Sequence, residues 1–370
     1  MRISGIQIYW LLFTFLTGNT LLLTVREVII DAKQDAWISY LIASALALLL
    51  VYISTKVGLL YPNETLIQYS KTILGKWLGN LVIIFYLFQW FSVISVILSQ
   101  FSDFTITILL YSTPTWIINL TIILLIIYAL YIGGIEGIAR CGEFFGPIIF
   151  IMLVLLLILL IPNMDVQRIL PIYADSGLKS IIKGTFYPLS FLGESVIILM
   201  LISFMDETKN GPKSALLAVA IPSLLLSTAT FIVITIYGPT MAAKLRYPAF
   251  DAIAYISLMN FIQNLEILAV VIWILSIFIK LSLYIFVASY GTAQWLKIKD
   301  WRKLIWFVAG LAFILAQVYP NTTLYGVIYA KKIWIRYILP INMIGIPLLL
   351  WVIGSIRKRI SRKKSSDIPS

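Results

Sequence analysis

Histidine is absent from this 370-residue chain, and cysteine occurs once, at Cys141. Without histidine, the chain cannot form a Ser-His-Asp triad, a histidine-ligated zinc site or a histidine proton shuttle. A single cysteine excludes an intramolecular disulfide and a cysteine metal cluster. Neither a P-loop nor a GxGxxG phosphate-binding loop is present. We therefore expect a protein that is not an enzyme and carries no resident cofactor or metal.

Charge is also scarce, since 12% of the residues are charged and 61% are hydrophobic. Soluble domains are roughly 25% charged, so this balance predicts an all-α polytopic membrane protein. About ten apolar segments approach the ~20 residues that span hydrocarbon. They are predicted at 6–29, 37–60, 77–102, 115–133, 144–161, 181–204, 214–238, 262–288, 304–320 and 334–355.

Long linkers are missing too, and the connections between apolar segments are short. The first apolar segment has no small-residue cleavage site after it, which favours a retained helix over a signal peptide. We therefore expect one transmembrane transporter-like domain over 1–356 and a basic cytoplasmic tail over 357–370.

The net charge is +12, but the basic residues are dispersed between apolar segments and concentrated at the C-terminus. This distribution follows the positive-inside rule and gives no reason to expect a nucleic-acid partner. With the N-terminus assigned inside, the cytoplasmic loops and tail carry most of the lysine and arginine. Both termini are therefore predicted to be cytoplasmic, and the tail can also contact membrane lipid.

Two apolar segments contain interruptions at matching positions of the two halves. The first has Thr17, Gly18, Asn19 and Thr20 near its centre, where glycine weakens a helix and Thr and Asn compete for backbone hydrogen bonds. The sixth has the run Pro188–Ser195. Paired interruptions of this kind indicate a transporter-type binding site. The alternative is that the glycines only allow close helix packing.

Glu194 and Lys280 are charged residues inside predicted spans. A carboxylate at that depth costs several kcal/mol unless it is compensated. Glu194 can bind a ligand amine, exchange a proton, clamp the broken helix or cap the following half-helix. Lys280 can fill a cation position beside the first span or act in coupling, or its stem can snorkel to the interface.

An acid–base–acid series precedes the fifth span. Glu136, Arg140 and Glu143 have the spacing of neighbours on one helix face. The series suits an intracellular gate, and a simple stabilising surface pair is the alternative.

The chain resembles the B subunits of bacterial spore germinant receptors, a branch of the amino acid-polyamine-organocation transporter superfamily. Four stretches besides Gly18 carry the resemblance: Gln34–Ser39, Gly133–Glu143, Phe191–Glu194 and Trp273–Ser282. The resemblance implies a LeuT-like, five-plus-five inverted repeat with helices 1 and 6 broken.

That resemblance also implies a site for a small germinant such as an amino acid. Its residues would come from the two interruptions and from helices 3 and 8: Thr17, Gly18, Asn19, Thr20, Phe191, Leu192, Gly193, Glu194, Gln89, Ser92 and Ser276. It further implies an A subunit and a lipoprotein C subunit as partners, in the inner membrane of the spore. A proton- or sodium-coupled amino acid transporter is the alternative function, and a scaffold for another sensing subunit is a third.

Overall fold

The computed structural model describes residues 1–254, 256, 265–318, 326 and 328–366, and for 361–366 the backbone alone. Residues 262–264 and 319–320 of the predicted eighth and ninth spans, and 367–370 of the predicted tail, lie outside the described residues. Within the described ranges the chain is helical and has no β-strand, and an isolated β-bridge pairs Ile3 with Met205.

Eleven α-helices and one long π-helix are present in the described residues. The α-helices are α1 (Gly5–Ala32), α2 (Ala36–Leu60), α3 (Leu66–Ile108), α4 (Thr115–Leu160), α5 (Gly177–Leu192), α6 (Ile198–Leu201), α7 (Gly211–Ala242), α8 (Pro248–Ala254), α9 (Glu266–Leu296), α10 (Arg302–Val318) and α11 (Ile346–Ser366). The π-helix spans Ala330–Gly345 and leads directly into α11.

Seven helical stretches in the described residues are long and apolar enough to cross a membrane. Two of them, Gly5–Leu60 and Thr115–Asn163, contain 56 and 49 residues. At 1.5 Å per residue a straight 56-residue helix would be about 84 Å long, against about 30 Å of hydrocarbon. The first is interrupted by the 3-10 turn Lys33–Asp35, and the second at Gly134, where φ is 54°. The count of ten spans stays a prediction.

Helix α1 lies at the centre of the bundle and packs against α4, α5, α7 and α9. Its middle, residues 11–22, is buried without exception, as expected for a helix surrounded by other helices. Its N-terminus is fixed by a capping box in which Ser4 and Gln7 satisfy each other's backbone N–H groups. Helix α1 is therefore positioned to line any site in the middle of the protein.

The interruption predicted for the first span is wrong, because α1 is helical throughout, from Gly5 to Ala32. The Thr17 hydroxyl donates to the Phe13 carbonyl at 2.6 Å, and the Thr24 hydroxyl donates to the Thr20 carbonyl at 2.6 Å. Threonine can therefore bond within the helix as well as compete with it. Sequence reasoning considered only the competing bond.

The interruption predicted for the sixth span is present. Helix α5 ends at Leu192, and a 3-10 segment, Gly193–Ile197, separates it from the single turn of α6. A 3-10 segment has poorer hydrogen-bond geometry than an α-helix and often marks a hinge. This joint is buried throughout, in the middle of the bundle.

Candidate functional site

A buried ion pair joins the joint after α5 to the middle of α9. The Lys280 ammonium contacts the Glu194 carboxylate, and the two side chains are 0% and 3% exposed. Lys280 therefore does not snorkel to an interface, and Glu194 has a cation as its partner. Removing charges from water is expensive, and mutual pairing is the usual compensation inside a membrane.

Two aromatic rings complete the surroundings of the ammonium. Lys280 Nζ lies 5.0 Å from the centre of the Phe15 ring and 5.6 Å from that of Phe191. Phe15 belongs to α1 and Phe191 to the last turn of α5, and Tyr284 packs on Phe15 with ring centres 5.2 Å apart. Cation–π contacts of this kind strengthen when the site excludes water. Lys280 thus links the two helices whose centres were predicted to form the site.

A small cavity of about 20 Å³ lies beside this ion pair. It is lined by residues of α1, α3, α5, the 3-10 segment and the π-helix with the residues just before it: Asn19, Val93, Val96, Ile97, Gln100, Phe191, Glu194, Gly326, Tyr329, Ala330 and Trp334. Asn19 Nδ2 donates to Gln100 Oε1 at 3.4 Å, and Asn19 Oδ1 has no hydrogen-bond partner among the described residues. We call this space the central cavity. Its volume is about that of one water molecule.

A second cavity, of about 70 Å³, shares Gln100 and Gly326 with the central cavity. Its lining carries charges of both signs, and we call it the vestibule. On one side Glu27 pairs with Arg26 at 2.9 Å and with Lys331 at 2.6 Å. On another, Asp103 pairs with Arg246 and accepts from the Tyr247 hydroxyl at 3.1 Å. Gln100 therefore contacts both cavities, and its bond to Asn19 leads from the vestibule into the central cavity that Glu194 lines.

Three of the predicted ligand-binding residues line the central cavity: Asn19, Phe191 and Glu194. Gly18 has a packing role, because a Cβ at this position would lie 2.4 Å from Ser276 Cβ. Gly18 and Ser276 are thus brought together, as a close contact between α1 and α9.

The remaining predicted residues do not line the central cavity. Gln89 Oε1 accepts from Asn342 Nδ2 at 2.8 Å, and the Ser92 hydroxyl lies 2.6 Å from that of Tyr329, which lines the cavity. Four others are buried but do not line it: Thr17, Thr20, Leu192 and Gly193.

The predicted gate residues contact the N-terminal segment. The Arg2 backbone N–H donates to Glu136 at 2.6 Å, and Gln7 Nε2 donates to Glu143 at 3.0 Å. Arg140 is exposed and, in this described region, has no salt bridge to either acid within 4.0 Å. The expected surface pair is therefore absent, because both acids are engaged by the N-terminus.

Sequence reasoning missed Gln100 and the charged residues of the vestibule. Glu27 was detectable, since it is an acid inside the predicted first span. Asp103 and Arg246 are separated by 143 positions, and only the folded chain brings them together.

Comparison with solved structures places the fold in a known class. A Na+-coupled sialic acid symporter in its substrate-bound outward-open state matches with a TM-score of 0.63 at 12% identity, covering 97% of this chain and 90% of the symporter. A nucleobase-cation-symport-1 family transporter matches with a TM-score of 0.56 at 11% identity, covering 87% and 74%. The protein therefore has a LeuT-like transporter fold, as the resemblance implied.

Sequence comparison identifies the family of the chain. The model of the spore germination protein family matches residues 2–324, and the chain belongs to that family. Spore germination protein KB of Bacillus subtilis (strain 168) is 26% identical over 321 residues, which are 86% of this chain and 84% of the relative. Spore germination protein YndE of the same strain is 25% identical over 340 residues, covering 91% and 92%.

Proposed function

We propose that this chain is the nutrient-binding subunit of a spore germinant receptor, and that its ligand is an amino acid bound at the central cavity. The observation that carries the proposal is the buried Lys280–Glu194 pair beside a cavity lined by α1 and the joint after α5. An ion pair at this depth is weak support for stability alone, because apolar residues would serve as well. The ion pair has a clear functional role if its two charges bind a ligand.

A zwitterion matches these charges. Its ammonium group can pair with Glu194 and donate to Asn19 Oδ1, which lacks a partner among the described residues. Its carboxylate can take the place of Glu194 beside Lys280. All four charges then remain paired, so the ligand enters without leaving a charge buried alone. A ligand with one charge would leave one member of the pair uncompensated.

Binding requires a conformational change, because a cavity of about 20 Å³ is far too small for an amino acid. The 3-10 segment Gly193–Ile197 is the hinge that we expect to move. A ligand that binds the opened state more tightly shifts the population toward it. An A subunit and a lipoprotein C subunit in the inner spore membrane would detect that shift and trigger germination.

The gate on the other side of the cavity would be the N-terminal segment. Ile3 is hydrogen-bonded to Phe204 at 2.8 Å and to Asp206 at 3.0 Å, just beyond α6. The contacts of Glu136 and Glu143 hold the same segment against α4. If α6 moves, these hydrogen bonds must break, or the N-terminal segment must move with α6. In this arrangement both termini lie in the cytoplasm.

Spores that carry cavity variants test the proposal. Asn19→Ala should raise the germinant concentration for half-maximal response by about 10-fold or more, since a hydrogen bond to a charged group contributes about 1.5–3 kcal/mol. Gln100→Ala removes the acceptor that orients the Asn19 amide and should raise it by about 2- to 10-fold, as for a neutral hydrogen bond of about 0.5–1.5 kcal/mol. Gln167→Ala is the matched control, because its side chain is exposed outside both cavities. An unchanged concentration dependence in assembled receptors would place the site elsewhere.

A proton- or sodium-coupled amino acid transporter is the second candidate. The buried Lys280–Glu194 pair favours it, because such groups mark proton relays in membrane transporters. Proteoliposomes distinguish the two functions. Accumulation of labelled amino acid against its gradient, driven by an imposed proton or sodium gradient and lost in Lys280→Met/Glu194→Gln, which removes both buried charges together, would identify a transporter. Binding without accumulation would identify a receptor.

A further inference from the structure

An apolar groove lies on the outer surface of the described protein, and its lining has no charged residue. Its volume is about 380 Å³. One wall is α3, and the other is the end of the π-helix with the start of α11. The lining residues are Leu74, Leu78, Leu81, Val82, Phe85, Pro340, Ile341, Gly345, Ile346 and Leu349.

Both ends of the groove are closed by contacts between its walls. At one end Asn342 Nδ2 donates to the Phe85 carbonyl at 3.0 Å, and the Tyr86 hydroxyl donates to the Asn342 carbonyl at 2.7 Å. At the other end Gly354 lies against Ile73. Between these contacts the walls separate, and Leu78 and Leu349 are 58% and 43% exposed. The groove therefore opens sideways, toward the lipid that surrounds the helices.

The length of the groove matches one leaflet. Helix α3 bends at Gly75, where φ is 82°, and beyond the bend it rises by about 14 Å from Lys76 to Phe85 at 1.5 Å per residue. The hydrocarbon core is about 30 Å thick, so one leaflet contributes about half of that. A transmembrane helix of a partner would need contact over the whole thickness, and the bonds at Asn342 interrupt the groove near mid-membrane.

Positive charge is confined to the Leu74 end. Lys76 follows Leu74 by two residues and is exposed. Arg357 donates to the carbonyl of Thr72 at 3.0 Å, which places its guanidinium beside the same turn. Trp77, the residue after Lys76, is 92% exposed, as is common for aromatic residues at the level of lipid headgroups.

We propose that this groove is a binding site for an anionic phospholipid, with one acyl chain between α3 and α11 and the phosphate at Lys76 and Arg357. The acyl chain fills an apolar groove one leaflet long, and the two cations neutralise the headgroup. Basic residues beside a membrane attract anionic lipid by about 1 kcal/mol each. The lipid joins the π-helix, whose Ala330 and Trp334 line the central cavity, to the bilayer.

The test compares phosphatidylglycerol with phosphatidylcholine of the same acyl chains, added to the purified full chain in detergent. Native mass spectrometry counts bound lipid, and the apparent Tm reports stabilisation. We expect retained phosphatidylglycerol and a rise of a few degrees, both larger than with phosphatidylcholine. Lys76→Gln/Arg357→Gln should abolish the difference. Lys299→Gln/Lys303→Gln is the control, since it removes two exposed charges away from the groove.

A second variant pair tests the acyl chain. Leu81→Trp fills the groove, and Leu124→Trp adds the same side chain to an exposed position of α4. Lipid retention should fall in the first and persist in the second. Equal retention of both lipids by the wild type, or retention unchanged in Lys76→Gln/Arg357→Gln, would overturn the proposal. Loss of a partner subunit by Leu81→Trp with lipid binding unchanged would also overturn it, by assigning the groove to a protein helix.

Discussion

Lys280 and Glu194 form an ion pair in the interior of the bundle, with side chains 0% and 3% exposed. Their charges compensate each other in a region where neither can reach water. Sequence reasoning selected both residues, because each is a charge inside an apolar span. Their pairing could not be read from the sequence, since it depends on how α9 crosses the joint after α5.

Loss of Lys280 alone should be strongly destabilising. Lys280→Met leaves the Glu194 carboxylate buried without its cation, and breaking a buried pair costs about 3–5 kcal/mol. The Lys280→Met/Glu194→Gln double variant removes both charges and should have an apparent Tm closer to wild type than the single variant. Lys299→Met, at an exposed position, is the control for the substitution itself. A double variant less stable than Lys280→Met would show that the two charges do not compensate each other.

The two helix interruptions predicted for the site show what local sequence can and cannot predict. The run Pro188–Ser195 predicted an interruption, and the 3-10 segment at Gly193–Ile197 confirms it. The run Thr17–Thr20 also places a glycine among polar residues, though without a proline, yet α1 is continuous there. The difference is tertiary, because α1 is enclosed on all sides and Gly18 lets α9 approach closely. Residue composition alone cannot distinguish a helix interruption from a close contact between two helices.

Gly134 is the turning point within α4, with φ 54° and ψ −150°. Side chains other than glycine rarely adopt this conformation, so Gly134→Ala should lower stability by about 1–3 kcal/mol. Gly133→Ala is a close control, because nothing lies within 4 Å of its added methyl group and its φ is not positive. Thermal unfolding of the two variants in parallel measures the difference.

The prediction for Gly134 concerns the backbone, so the size of the new side chain should matter little. Gly134→Ala and Gly134→Ser should be destabilised alike. If Gly133→Ala proves as unstable as Gly134→Ala, the turn is not the cause and helix packing in this region must be re-examined.

At the scale of the whole molecule, polar contacts among the described residues flank the central cavity on two sides. Ion pairs occupy the vestibule on one side, and the N-terminal segment is bonded to the end of α6 and to α4 on the other. The family relationship and the fold were both accessible from sequence, through motifs spread over nearly the whole chain. The vestibule was not, because Glu27, Asp103, Arg246 and Lys331 come from four separate segments.

The central claim is that a zwitterion enters between Lys280 and Glu194. The most direct measurement is thermal unfolding of the purified full chain with a panel of amino acids, each compared with its decarboxylated amine and its deaminated acid. The account predicts that at least one amino acid raises the apparent Tm, by the equivalent of about 2.7 kcal/mol at about 100 times its Kd. The single-charge analogues should not. Stabilisation by an amine or acid as strong as by its parent amino acid, or by no member of the panel, would contradict the account.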